Sequence, residues 1–595
     1  MKRARPSSRR FSAAEASRRM FGQDTGDNDT TSSDESDSDG SNCASESDEH
    51  ESGNGDGPGS GRALGQDDEW RFINPGEDDF VPNATFSANC GIASDIDVPE
   101  NVSENVNFFV QLFLTDELFE MLSTWTNKRA EIAFEKCDID PNANLPVSLS
   151  KWRPVNAYDM KKLLGILLCM QLNHKPEIRN YWSRNIIYKS ALFQDQRCLA
   201  RNRFEDILRF LRFSDYENLD SEDNLRKIRP FLTMVQERCQ KVYTPSKTIC
   251  IDESLLLYKG RLQFRRYIPS KRARYGILSY CLCESSSGYT WSIQIAAGRG
   301  ENERWWQNVP ESAQGFTFSE KTVIVLLSDL IDKGYHVFVD NFFCSVRLAQ
   351  FLYQRSTLLT GTLRVHRGVP MALKEKNVPA KSHSFCRKNE VLIVKAVDRK
   401  SSGLKTLYLA DTAQKAGTTV KRRVLRGGVV ENVEKSLSVI SYNSGMGGVD
   451  ARDGSLHPYN MTRKSYKWFL KLGIHFIHIL IKNSWIVFRS CGGTIDFLSF
   501  QEKVIENFVL TTGEGRRGGL LGGRLAARPS LELHQPRLHA PKRLSPRPNR
   551  PRPSKKCRVC RRNGRRKETV FVCPDCPSLP ALCADPCFGI FHACN

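Results

Sequence analysis

Two aspartates stand where apolar strand-forming runs should carry no charge, and they constrain this 595-residue chain more than any other feature. Asp252 follows the run Ile249-Cys250-Ile251, and Asp340 ends Val337-Phe338-Val339. A charge beside a buried strand is costly unless it is paired or binds a metal. Strands are predicted over TICIDESLLLY, FRRYIP, ILSYCLCES and YTWSIQIA. A helix follows over SEKTVIVLLSDLIDKG, then an apolar strand over HVFVDNFF and a second helix over SVRLAQFLYQ. In that order the late strand can insert beside the first. Carboxylates on adjacent central strands repel each other, and a shared divalent cation, Mg2+ or Mn2+, relieves the repulsion. Taken singly, either aspartate would also serve as a strand-end cap or an ion-pair partner.

This is the strand order of an RNase H-like core, which needs a third acidic element. The run GMGGVDARD supplies one: Gly445, Gly447 and Gly448 permit close backbone approach, and Asp450 and Asp453 fall three apart on one face of a helix start. The helix dipole alone would also favour aspartate there.

The fold class expected is multidomain α/β. Residues 1–105 read as a disordered acidic N-terminal region, because Asp24 to Asp56 holds twelve Asp/Glu and no Lys or Arg. That tract is a solubilising tail or an acidic mimic of DNA. Residues 106–245 read as a helical dimerisation and DNA-binding domain, 246–357 with 435–457 as the catalytic core, and 358–434 as a β-rich insertion domain. Residues 458–511 read as a helical C-terminal part, 512–556 as a basic linker, and 557–595 as a cysteine-rich zinc domain. Asp116 is the expected cap of the helix over DELFEMLSTW. Leu470 to Phe488 carries His475, His478, Lys482 and Asn483, so it reads as a buried helix and not a membrane span.

A net charge of +20 favours a polyanionic partner, nucleic acid ahead of an anionic membrane surface. The start MKRARPSSRRF does not lead into an apolar signal segment, so a nuclear or cytosolic protein is expected. Nineteen cysteines there are not a disulfide framework. Cys557, Cys560, Cys573, Cys576, Cys583, Cys587, His592 and Cys594 give eight soft ligands, enough for two structural Zn2+. Alternation predicts a cross-brace, with Cys557, Cys560, Cys583 and Cys587 on one ion and Cys573, Cys576, His592 and Cys594 on the other. From Arg516 to Lys567 there are eighteen Lys/Arg and one Glu, suited to nuclear import or to tracking phosphates.

The runs VYTPSKTICIDESLLLYKGRLQFRRYIPSKRARYG, LCESSSGYTW, FVDNFF, GTLRVHRGVP, MGGVDARD and MTRKSYKWF resemble the piggyBac transposases, in the same order and at similar spacing, from about Asn107 onward. The resemblance implies that Asp252, Asp340 and Asp450 are catalytic metal ligands and that Asp453 matches the motif's fourth aspartate. It implies cut-and-paste chemistry: nicking, hairpin formation and opening, and joining of 3′ ends to TTAA. The partners it implies are double-stranded DNA, as transposon ends and TTAA target, and a second copy in a homodimer; no membrane is involved. The cysteine-rich end resembles the family's end-reading domain, and superficially a RING ubiquitin ligase. Candidate DNA contacts are Lys271, Arg272 and Arg274 beside the site, Arg364 and Arg367 in the insertion, and Arg463, Lys464, Lys467 and Trp468 at the start of the long C-terminal helix. Two departures stand out: Gly454 replaces the Gln common after the fourth aspartate, and KAVDRKSSGLK lacks an aromatic residue often found there. A host-recruited relative that binds DNA in the nucleus without transposing is the alternative.

Overall fold

The computed structural model describes residues 69–139, 152–215, 222–269, 271, 273–400, 403–424, 430–459, 465–510, 541–544, 553–562, 565–574, 576, 579–588 and 591. The chain divides into two compact units, Met1–Gly513 and Glu514–Asn595.

The first unit is organised by a ten-stranded sheet. Its strands are β1 (Arg71–Ile73), β2 (Thr248–Leu257), β3 (Arg266–Tyr267), β4 (Tyr275–Glu284), β5 (Thr290–Ile295), β6 (His336–Val339), β7 (Leu358–Thr362), β8 (His383–Lys388), β9 (Val391–Lys400) and β10 (Gly403–Asp411). The order is β1-β8-β9-β10-β7-β6-β2-β4-β3, with β5 also paired to β4. Only β2–β6 and β6–β7 are parallel. Accordingly β6 (HVFV) is buried throughout and apolar apart from His336, whose ring nitrogen is satisfied by the Thr360 hydroxyl at 2.8 Å, as suits a strand covered on both faces. The connection from β5 to β6 runs through helix α5 (Phe318–Leu327), closed by a capping box between Thr317 and Glu320.

Most of the segment expected as a separate β-rich insertion is part of this sheet, while Thr418–Val424 and Val430–Ser436 pair with each other in a two-stranded sheet of their own. Leu358–Thr362 pairs with β6, and β8 to β10 extend the sheet from there, because β10 finds its second partner in β7. A local alternation of apolar residues cannot reveal which distant edge a strand will join.

The helical segments are likewise not separate domains. Helix α1 (Val106–Phe113) buries Val106, Phe109, Val110 and Phe113, the stripe of an amphipathic helix. Helix α2 (Asp116–Ile139) begins at Asp116, and its cap is one residue earlier than expected: the Thr115 hydroxyl accepts from the Leu118 N–H at 3.3 Å. Helices α1 and α3 (Ala157–Leu172) pack on the C-terminal helices α9 (Trp468–Ser490) and α10 (Phe497–Leu510), and one apolar core runs from Val106 to Val509. Helix α9 is buried, as its apolar run implied, and Asn483 bonds both the N–H and the C=O of Thr290. Among the described residues no helix is long and apolar enough to cross a membrane.

The N-terminal region also departs from expectation. Residues 69–105 are built into the fold, whereas 1–68 lie outside the described residues. Strand β1 caps the sheet edge at β8, Gly91–Ile92 pairs with Tyr243–Thr244, and Phe86 meets the Tyr335 ring edge-on at 5.0 Å. The acidic tract ends at Asp56, and the aromatic residues after it supply apolar surface to bury. Asp78 anchors this segment: its Oδ2 accepts from Arg387 Nη2 at 2.8 Å and from the Ala416 N–H at 2.6 Å. Burial pushes this carboxyl up, but the Ala416 N–H and Arg387 outweigh it and hold the group below the usual range. Asp78→Ala leaves a buried guanidinium uncompensated, and denaturant unfolding should show a loss of about 3–5 kcal/mol. Because the folded pKa is lowered, the stabilisation is complete above the ordinary carboxylate range and disappears as pH falls below it. Asp78→Asn should remove that part of the acid dependence.

Candidate active site

Strands β2 and β6 pair in parallel with Ile251 opposite Val339, so the next residues, Asp252 and Asp340, emerge side by side where the two strands end their pairing. Neighbouring strands lie about 4.8 Å apart, which brings two half-buried carboxylates within a span one cation can bridge. The Glu253 N–H donates to Asp252 Oδ1 at 2.8 Å, and the Phe342 N–H to Asp340 Oδ1 at 2.9 Å. These bonds fix one oxygen of each group. Burial pushes Asp252 up to about 7, with Asp340 and Asp450 adding to the rise and Lys271 opposing it. Burial also raises Asp340.

Asp450 arrives on helix α8 (Gly448–Leu456), which follows α7 (Leu437–Gly445) and rides over β2. Two glycines permit the approach. A Cβ on Gly448 would stand 2.7 Å from both Cys250 Sγ and the Glu284 carbonyl, and one on Gly445 would meet the Phe338 ring at 2.3 Å. Cys250, Asp252 and Ser254 share a face of β2, so the helix crosses above the acid. Asp450 lies exposed in its first turn.

Asp453 has a different environment. Its Oδ2 accepts from Ser254 Oγ at 2.7 Å, and its Oδ1 accepts from Arg452 Nη2 at 2.7 Å and Nε at 3.0 Å. Burial pushes it up, but Arg452 and Ser254 outweigh that and hold it below the usual carboxylate range. Arg452 is 1% exposed and also reaches Thr290 Oγ1 at 3.3 Å. The first three acids thus share one field, and the fourth is committed to holding Arg452. The sequence reading missed Arg452 and Ser254. Arg452 was visible between two aspartates in a motif, but nothing local marks an arginine as buried.

The basic residues separate similarly. Lys271 pairs with Glu253 at 3.4 Å and lowers the acids electrostatically. Arg364 bonds Asn341 Oδ1 at 3.2 Å, next to Asp340, and Arg367 bonds Ser319 Oγ at 2.9 Å. Arg274 is exposed in the left-handed region at φ 49°. Lys467 and Trp468, read as DNA contacts, serve the interior instead. Lys467 is 8% exposed and donates to the Arg209 carbonyl at 2.9 Å, and the Trp468 ring packs edge-on against Phe264 at 5.2 Å. Their aromatic and basic spacing could not distinguish a groove lining from a helix docking on the core. Arg272, Arg463 and Lys464 lie outside the described residues.

A cleft of about 620 Å³ opens beside the acids, lined by Ser254, Lys271, Asp450, Asp453, Leu456 and His478 among others.

In the second unit the Sγ atoms of Cys557, Cys560, Cys583 and Cys587 all lie within 4.8 Å of one another. Tetrahedral zinc with Zn–S near 2.3 Å requires sulfurs about 3.8 Å apart, and Cys560 lies 3.5 Å from Cys587 and 4.0 Å from Cys583. The Cys557 thiol is brought down to about 6: burial opposes ionisation, but the Cys560 and Cys583 N–H groups favour the thiolate. This donor set fits zinc. Cys573 and Cys576 lie apart from this cluster, among Leu582, Phe588 and Phe591, and their expected companions His592 and Cys594 lie outside the described residues.

A strand pair presenting two acids, a glycine-led helix adding a third, and a four-cysteine cluster suited to zinc are the features of a DDE transposase domain, whether in a transposase or in a protein derived from one. The family described as Transposase IS4 matches residues 105–485, and the DDE_Tnp_1-like zinc finger matches 547–593. The chain belongs to this DDE transposase family, and within it to the piggyBac transposable element-derived group. It is 26% identical over 428 residues to the human PiggyBac transposable element-derived protein 3, covering 69% of this chain and 66% of that one. For the human PiggyBac transposable element-derived protein 2 the identity is 24% over 395 residues, covering 61% and 62%. The chain thus spans just under two thirds of these relatives' lengths. A cryo-EM structure of the piggyBac transposase synaptic complex with hairpin DNA shares the fold, with a TM-score of 0.58 and 22% identity over 72% of this chain and 86% of that one.

The close approach of α8 gives a direct test of the geometry. Gly448→Ala should cost about 1–3 kcal/mol by overpacking and weaken Mn2+ binding by displacing Asp450. Gly447→Ala, whose Cβ would meet nothing within 4 Å, should do neither. Denaturant unfolding and Mn2+ titration measure the two effects.

Proposed function

We propose that the chain is a DNA transposase that moves an element by cut-and-paste at TTAA through metal-ion-dependent phosphoryl transfer. The observation that carries this reading is the side-by-side emergence of Asp252 and Asp340 from paired parallel strands, with Asp450 brought over them by α8. The order β5-β4-β2-β6-β7, antiparallel and then parallel with a crossover helix, supports an RNase H-like core. Three mutually repelling carboxylates are an oxygen donor set suited to Mg2+ or Mn2+. When bound, such an ion polarises the scissile phosphate and lowers the pKa of an attacking hydroxyl.

The chain's own groups divide the remaining work. Asp252, Asp340 and Asp450 present the anionic cradle, and the backbone N–H bonds to the first two orient it. Lys271 offsets excess negative charge at the cradle and offers a cation to a DNA phosphate. Asp453 and Arg452 lock α8 in place, so Asp453 is a positioning residue. The reading extends to nicking, hairpin formation and opening, and strand transfer at one site, to a homodimer that synapses two ends, and to action in the nucleus. It also includes a second zinc ion held by Cys573, Cys576, His592 and Cys594.

Asp252→Asn, Asp340→Asn and Asp450→Asn should each lower cleavage and strand transfer by orders of magnitude while end binding persists. Wild-type cleavage in any of them removes that residue from the site. Asp453→Asn should instead lower stability together with activity. The curated relatives are transposable element-derived proteins, which favours a second reading as a recruited DNA-binding protein. Binding without any metal-dependent cleavage by the wild-type chain would establish that reading.

Elemental analysis tests the cysteine-rich unit. Two zinc ions per chain are expected, Cys587→Ser should remove one, and chelation should unfold the unit. A single ion, lost on Cys587→Ser, would leave Cys573 and Cys576 as core residues.

A further inference from the structure

Beyond α3 lies the segment IRNYWSRNIIYKSALFQ, which holds Arg179, Arg184 and Lys189 and no Asp or Glu. At its tip the Tyr188 N–H donates to the Asn185 carbonyl at 2.9 Å, so Ile186 and Ile187 occupy the two corners of a β-turn. They are 89% and 79% exposed, more than any other large apolar side chain among the described residues. Turn corners are normally filled by Gly, Pro, Asn, Asp or Ser, each for a backbone reason that isoleucine does not share. The fold therefore gives these two side chains nothing to do.

The turn is held stiffly from below. Asn185 Oδ1 accepts from the Ile187 N–H at 3.0 Å, and Ser183 Oγ from the Asn185 N–H at 3.1 Å. Lys175 Nζ donates to the Tyr188 carbonyl. At the base, Trp182 Nε1 donates to the Leu199 carbonyl at 2.8 Å, and its ring meets Phe193 edge-on at 5.0 Å. Arg184 and Lys189 flank the tip, and both are exposed.

We infer that this tip is a wedge for double-stranded DNA: Ile186 and Ile187 enter between two stacked base pairs from the minor groove and kink the duplex, while Arg184 and Lys189 contact the phosphates to either side. Proteins that bend DNA use apolar side chains in this way, and the unstacking they cause is offset by the extra contacts that bent DNA reaches. An apolar tip between two cations is complementary to a base step between two phosphate backbones. A second copy docking through the same tip would set Arg184 and Lys189 against themselves, with no acid on the segment to meet them. The inference rests on the DNA-binding part of the reading above and not on cleavage.

The test binds the full chain to a short duplex carrying a dye at each end, without divalent cations so that nothing is cut. Energy transfer between the dyes should rise on binding, because a kink shortens the end-to-end distance. Ile186→Ser combined with Ile187→Ser should abolish that rise and weaken binding roughly tenfold, with melting temperature and salt dependence unchanged. On a duplex with a central adenine bulge, where the kink is already made, this variant should bind nearly as well as wild type. Arg184→Gln combined with Lys189→Gln should instead weaken binding to both duplexes and lower the salt slope by about two. A bound duplex left straight by wild type, or bent equally by the isoleucine variant, overturns the wedge. So does an isoleucine variant whose mass in sedimentation falls from dimer to monomer, since the tip is then a contact between copies. A wild-type chain that binds no duplex defeats the DNA-binding reading and the wedge together. One that bends duplex but never cuts it in Mn2+ defeats the transposase reading alone.

Discussion

The parallel ladder between β2 and β6 is the constraint on which the rest depends. It pairs four residues on each strand and ends at Ile251 and Val339, so the following aspartates share one level. A slip of one residue would turn one of them to the opposite face of the sheet. Everything around the ladder serves to hold that register: β4 and β5 continue the sheet on one side, β7 on the other, and α5 crosses between them. Holding like charges side by side works against folding unless something compensates: burial is the main cause of the upward shift of Asp252, and Asp340 and Asp450 add to it. The proposed metal-binding role and the charge repulsion have one origin.

Helix α8 solves a second problem, that of adding a third acid to a site already crowded by the sheet. Gly448 lets its backbone approach Cys250 and the Glu284 carbonyl, and Arg452, buried beneath the helix, ties Asp453 to Thr290 and thus to β5. A buried guanidinium is tolerated only with a charge partner and well-placed acceptors. The helix therefore keeps two acids for two purposes, an exposed one at its first turn and a paired one a turn later.

The larger unit also shows how far the central sheet recruits its surroundings. Segments separated by hundreds of residues, from Arg71 to Asp411, enter one sheet, and helices from both ends of the unit share one core. The Asp78–Arg387 pair closes this arrangement at the far edge.

Much of the site was legible in the sequence because its signals are local. An aspartate after an apolar strand run, glycines before a pair of aspartates and paired cysteines each violate an ordinary pattern within a few residues. That is why Asp252, Asp340, Asp450 and the cysteines Cys557, Cys560, Cys583 and Cys587 stood out as candidates, and why the crossover between strands could be ordered. Pairing partners are not local. The chain alone did not tell that Leu358–Thr362 joins β6, that β8 to β10 extend the same sheet, or that Arg71–Ile73 closes its edge. Nor could it tell which cations face outward: Lys467 and Lys271 are equally basic in sequence, yet one is buried and held by the Arg209 carbonyl and the other faces the acids. Sequence determined which side chains are candidates for the chemistry, because charge and ligand type belong to the residue. Tertiary structure decided which of them act together, because burial, register and the closeness of Gly448 to β2 are properties of distant segments once packed.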